Sequence, residues 1–135
     1  MVKMSGIYQG ELHCEMTHGP SKSKISTDAP VDNHGKGQAF SPTDLLGASL
    51  GSCILTTMAI IAERDKVNLK GAEVFVEKEM ASDAPRRVES LSVKLRLPSS
   101  IPVEYRPKLE AIAHSCPVHR SLRADIQIPV TYEYV

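Results

Sequence analysis

The sequence has no tryptophan, only two phenylalanines and only four tyrosines. Few aromatic platforms remain on which single-stranded nucleic acid would stack. It carries no charge excess either: 16 Lys and Arg stand against 16 Asp and Glu, for a formal net charge of zero. Affinity for a phosphate backbone draws on surplus cations, so nucleic acid is not an expected partner. The opening stretch, MVKMSGIYQGELH, lacks the apolar core of a secretory signal, and the expected location is the cytoplasm. Cysteine is scarce and odd in number: Cys14, Cys53 and Cys116. Three cysteines make no disulfide framework. In a reducing compartment a cysteine pair is more often catalytic, redox-active or metal-binding than structural. The sequence also contains no CxxC, HExxH, GxGxxG or Walker loop. Those absences leave zinc weakly supported and nucleotide binding unsupported.

What is present fits one globular domain over residues 1–135. Apolar residues make 41% and charged residues 24%, ordinary values for a packed chain and too apolar for general disorder. One stretch tests this reading. LLGASLGSCILTTMAIIA, residues 45–62, is uncharged over 18 positions, the lower edge of a membrane span. Gly47, Gly51, Ser49, Ser52, Thr56 and Thr57 dilute it. A helix apolar on all sides is expected inside a core, so no membrane is expected as a partner.

The helix start is the clearest punctuation. Ser41-Pro42-Thr43-Asp44 supplies an N-cap, a proline at the first helical position and an acid at the third. The helix it opens is expected to run to about Lys66. Before it, one strand is expected over 4–17, a turn over 19–24, a second strand over 25–31 and a glycine loop over 33–40. After Gly71 the apolar period becomes two, and segments 72–79 and 88–97 read as a β-hairpin with Leu91, Val93, Leu95 and Leu97 on one face. Residues 102–115 read as an amphipathic helix with Val103, Leu109, Ile112 and Ala113 inward. A short helix after Pro117 and a closing strand over 126–135 complete the chain. The fold class is α+β, helices on one face of a mainly antiparallel sheet. Gly47 and Gly51 form a small-residue face on the long helix, expected to admit another helix or backbone, including the same helix of a second subunit.

Two cysteines lie where chemistry is possible. Cys53 sits about three turns into the long helix, beyond the reach of its N-terminal dipole. Its helical neighbours are Ser49, Leu50, Thr56 and Thr57. By position alone it reads as a small hydrophobe in a buried helix. Cys116, in Ser-Cys-Pro-Val-His-Arg, falls at an N-cap with Pro117 as first helical residue. There the free N–H groups, with His119 and Arg120 nearby, favour a thiolate. The alternative is a helix-joining cysteine beside a proline kink. Cys116 and His119 also have a CxxH spacing, with His114 close, but no second ligand pair accompanies them. Cys14, beside His13, reads as an ordinary strand residue.

Phe40-Ser-Pro-Thr-Asp-Leu-Leu-Gly-Ala-Ser-Leu-Gly-Ser-Cys53 and His114-Ser-Cys-Pro-Val-His119, 63 positions apart at their cysteines, together resemble the OsmC/Ohr family over essentially the whole chain. The resemblance implies an OsmC-like fold: an antiparallel sheet wrapped around a long central helix in an intertwined homodimer, with active sites at the interface. It implies a thiol-dependent peroxidase active in oxidative-stress defence. Cys53 would attack an organic hydroperoxide and become a sulfenic acid, Cys116 would resolve it to a disulfide, and a dithiol, lipoyl or similar, would reduce the pair. No metal, flavin or haem cofactor is implied.

The same resemblance points to two residues that are not here. Hydroperoxide-reducing members use an N-terminal Arg and a Glu at the start of the central helix. The first Arg in this chain is Arg64, and the earlier cations are Lys3, Lys22, Lys24 and Lys36. Thr43, beside Asp44, aligns with the Glu. Lysine cannot reproduce the bidentate fork of arginine, so the activating pair is absent or rebuilt, with Arg120 and Arg123 as substitutes to consider. Alternative readings on the same scaffold are a non-catalytic protein holding a small apolar or thiol-bearing ligand, and a redox sensor whose disulfide changes a surface.

Overall fold

The computed structural model describes residues 1–135 and divides into two compact units, Met1–Leu46 and Gly47–Val135. In the first, β1 (Met4–Gly10), β2 (His13–His18) and β3 (Lys24–Asp28) form an antiparallel sheet in that order. The single strand expected over 4–17 is two strands. The chain reverses at Glu11 and Leu12, which both take positive φ, 52° and 60°, after Gly10 at 87°. Register then pairs Tyr8 with Cys14 and Gly10 with His13. A non-glycine pair in this conformation gives no turn signal in sequence. The second strand ends at Asp28, short of the expected 31, because Val31–Asn33 form a 3-10 turn.

Helix α1 (Pro42–Arg64) begins as its capping residues dictate. Ser41 Oγ accepts the Asp44 N–H at 3.0 Å, and Asp44 Oδ2 accepts the Ser41 N–H at 2.9 Å. This reciprocal box satisfies two helix-terminal donors.

In the second unit, β4 (Glu73–Met80), β5 (Val88–Leu97) and β6 (Val130–Tyr134) form a three-stranded sheet in that order. The β4–β5 hairpin is antiparallel, pairing Val76 with Val93 and Val74 with Leu95. β6 runs parallel to β5, a departure from the antiparallel expectation. A parallel neighbour needs a long crossover, and here the crossover carries α2 (Arg106–Ile112) and α3 (Pro117–Ser121). The expected helix over 102–115 is therefore shorter, flanked by 3-10 turns at Val103–Tyr105 and Ala113–Ser115. That change of helical pitch turns Val103 outward, where it is 69% exposed, while Leu109 and Ala113 stay buried.

Leu50, Ile54, Met58 and Ala62 of α1, four residues apart, are fully buried with Leu91, Val93, Leu95 and Leu97 of β5. Gly47 and Gly51 open this contact to the sheet. A Cβ at Gly51 would lie 3.0 Å from a Val76 methyl and 3.3 Å from Val74, and one at Gly47 would lie 3.3 Å from Val76. The small-residue face thus receives β4 of the same chain, not a second helix. Nor is α1 covered on every side: Ala48, Ser49, Ser52, Thr56 and Ile60 are exposed. The helix is long and apolar enough to cross a membrane by length and composition alone, yet its buried stripe belongs to the sheet's core.

Candidate functional site

Helix α1 carries Cys53 next to the buried stripe. Its side chain is half-buried and packs against the core cluster. One turn further on, Thr57 Oγ1 lies 4.0 Å from Cys53 Sγ. No charged residue occupies α1 between Asp44 and Glu63, so the surroundings supplied by the helix are apolar with hydroxyls.

The crossover brings in Cys116. It is the N-cap of α3, as Pro117 predicts, and its sulfur accepts the His119 N–H at 3.3 Å. It is also fully buried among the core residues. Burial is the largest influence on its titration and pushes the thiol up from its ordinary value. The backbone N–H groups of His119 and Val118 oppose this, while the neighbouring Cys53 sulfur reinforces it. The sequence expectation of a thiolate favoured by the cap is therefore reversed: desolvation outweighs two backbone donors, and Cys116 holds its proton. All three cysteines are unpaired.

The structure thus brings Cys53 and Cys116 into mutual influence from elements far apart in sequence. Cys14 is different: it stands in β2, opposite Tyr8 and Thr27. His114 and His119 meet edge to face at 5.7 Å, with an interplanar angle of 85°. No group of three or more His, Cys, Asp or Glu gathers in a form that could hold a metal ion.

The substitute cations can also be placed. Arg123 is exposed and grips Asp125 with two bonds, 3.0 and 2.8 Å. Arg120 is exposed. In the first unit, Lys24 pairs with Glu15 at 2.9 Å and Lys36 with Glu11 at 2.8 Å. At the helix start, Thr43 Oγ1 lies 3.2 Å from Ser41 Oγ and Asp44 closes the cap. Apart from the exposed Arg120, these groups have structural partners of their own. Sequence reasoning noted Thr57 only as a helical neighbour of Cys53. The four-residue spacing was the available signal for its contact with the sulfur.

Residues 35–131 match the family described as OsmC-like protein. A crystal structure from Psychrobacter arcticus 273-4, assigned to the osmotic stress induced and detoxification response, is 39% identical, with a TM-score of 0.92 over 98% of this chain and 96% of that one. The fold is shared at lower identity with two further structures. One is the Legionella pneumophila organic hydroperoxide resistance protein OsmC, at 18% identity and TM-score 0.77 over 98% of this chain and 96% of that chain. The other is a Vibrio cholerae protein assigned to organic hydroperoxide resistance, with captopril bound in one of its active sites, at 18% identity and TM-score 0.79 over 100% and 92%. No curated protein matches the sequence. With the matched segment spanning both cysteine motifs, this chain belongs to the OsmC-like protein family.

Proposed function

We propose that this protein is a two-cysteine peroxidase that reduces organic hydroperoxides. The observation that carries the reading is the neighbouring pair of free thiols: Cys53 on the long helix, and Cys116, buried and proton-bearing, on the crossover. Cys53 as thiolate attacks the distal oxygen of the hydroperoxide. The O–O bond breaks, Cys53 becomes a sulfenic acid, and the leaving alkoxide takes a proton to give the alcohol. Cys116 then attacks the sulfenic sulfur. A disulfide forms, and its thiol proton leaves with the hydroxyl as water. An external dithiol, lipoyl or similar, reduces the disulfide by exchange and is itself oxidised. The apolar residues of α1 and β5 beside the pair suit an alkyl hydroperoxide better than hydrogen peroxide.

A homodimer belongs to the same proposal. The uncharged open face of α1, including Ala48, Ser52 and Ile60, is a surface a second copy would cover. The unpaired cysteines suit a reducing cytoplasm. One observation favours a second reading, a ligand-binding or redox-sensing protein: no arginine precedes Arg64, and Thr43 stands where the hydroperoxide-reducing relatives place a Glu.

The test is dithiol-dependent consumption of cumene or tert-butyl hydroperoxide by wild type, Cys53→Ser and Cys116→Ser, with hydrogen peroxide for comparison. Turnover by wild type and none by Cys53→Ser supports the peroxidase. Equal inertness of all three, with no Cys53–Cys116 disulfide by mass, overturns it in favour of ligand binding. A disulfide that forms without turnover favours the sensor.

A further inference from the structure

A thiolate at Cys53 has no charge to lean on along its own helix, which is neutral from Leu45 to Ala62. Stabilising an anion in a half-buried apolar place then falls to neutral donors. The crossover, which also carries His114, His119 and Arg120, sets Cys116 beside Cys53, buried and holding its proton. The helix supplies the other donor. Thr57 lies four residues after Cys53, the spacing that stacks side chains on one helical face. Its Oγ1 is 4.0 Å from the Cys53 sulfur, the length of a weak bond to a neutral thiol. A helical threonine commonly turns its hydroxyl to the carbonyl four residues back; here the hydroxyl's partner is the sulfur itself.

We propose that Thr57 is a positioning residue whose hydroxyl donates to the Cys53 sulfur, fixes its direction and makes it the reactive thiol of the pair. The neutral hydroxyl takes over part of the work that a cation performs elsewhere, and it does so from within the helix that carries the nucleophile. Ionisation of Cys53 turns the sulfur into a full acceptor and strengthens the contact. Cys116, with burial against it, remains the proton-bearing partner. The proposal rests on Cys53 being the reacting thiol, but not on what it reacts with.

The experiment is alkylation of Cys53 by iodoacetamide across pH, in the full chain with Cys14→Ser and Cys116→Ser. Position 57 is Thr, Ser, Val or Ala. Val keeps the shape without the donor, and Ser keeps the donor without the methyl group. The midpoint of the pH profile is expected to rise by about half to one unit in Thr57→Val and Thr57→Ala, with labelling at neutral pH slowed about 3- to 10-fold. Thr57→Ser is expected to return towards wild type. If Val does not fold, Ala against Ser makes the same comparison. Profiles that coincide for Thr, Val and Ala overturn the proposal, as does a Ser variant shifted as far as Val, which would assign the effect to packing. No hydroperoxide enters this assay. A protein that shows the shift yet consumes no hydroperoxide keeps the role of Thr57 and loses only the peroxidase reading.

Discussion

The two units hold themselves together by different means. Gly47–Val135 contains every buried apolar side chain of the core, from Leu50 on α1 to Cys116 on the crossover. In Met1–Leu46 the buried residues are polar: Thr27, Asp28 and Ser41. Its large apolar side chains, including Met4, Ile7, Tyr8, Ile25 and Phe40, are exposed. What orders the first unit is ladder pairing and a small polar knot. Asp28 is bound by His13 Nδ1 at 2.5 Å and by the Gln38 N–H at 2.9 Å, while its own N–H donates to the Phe40 carbonyl. Burial of hydrocarbon scales with area and tolerates rearrangement, whereas a knot of this kind depends on each partner being present. The difference teaches where each unit is vulnerable: the second to loss of volume, the first to loss of charge.

The largest effect is expected from emptying the core. Leu95→Ala removes a fully buried side chain, and the expected loss in chemical denaturation is about 2–5 kcal/mol. Ile7→Ala, at a position 66% exposed, is expected to stay within about 0.5 kcal/mol. An equal loss from Ile7→Ala would break the contrast and show that another copy covers the first sheet.

Next comes the helix–sheet contact. Gly51→Val places its Cβ 3.0 Å from a Val76 methyl, with further methyl groups beyond it. Overpacking of this sort costs about 1–3 kcal/mol, read as a lower melting temperature. Unchanged melting would mean that β4 can move away from α1.

The smallest and most conditional effect belongs to the polar knot. The His13 hydrogen bond is the largest influence holding the Asp28 carboxyl below the usual range; the Gln38 N–H and the charges of His13 and Lys36 act in the same direction, against burial. A carboxyl lowered on folding binds its proton more weakly in the folded state. Its stabilisation is present above the unfolded-state range and is lost as pH falls through the folded value. Asp28→Asn is therefore expected to melt below wild type at neutral pH, with the gap closing as acid protonates the folded-state carboxyl. A gap that is constant with pH would assign the effect to shape rather than charge.

These contrasts also explain what could be read from residues alone. The start of α1 was legible because Ser41, Pro42 and Asp44 are each local signals, and the hairpin because strict alternation survives in β4 and β5. The reversal at Glu11–Leu12 was not, since neither residue advertises a positive φ. Gly47 and Gly51 signalled close approach correctly but not its source, because smallness says nothing about what fills the space. Val103 was placed inward by a helical phase that a 3-10 turn resets. At the site, the candidates Cys53 and Cys116 were readable through paired motifs. The protonation of Cys116 was not, because a cap is a local feature and burial is a tertiary one. The contact from Thr57 needed side-chain directions as well as spacing.

The parallel alignment of β6 with β5 has a consequence for chirality. Connections between parallel neighbours are overwhelmingly right-handed, so a crossover of this kind has one side of its sheet on which to lay its helices. Leu109, Ala113 and Cys116 join the core that α1 forms with β5. The meeting of two thiols 63 residues apart thus needs the crossover to return on the face of the sheet that α1 covers. The mirror-image route between the same two strands would place Cys116 across the sheet from Cys53, with the backbone layer of the sheet between them.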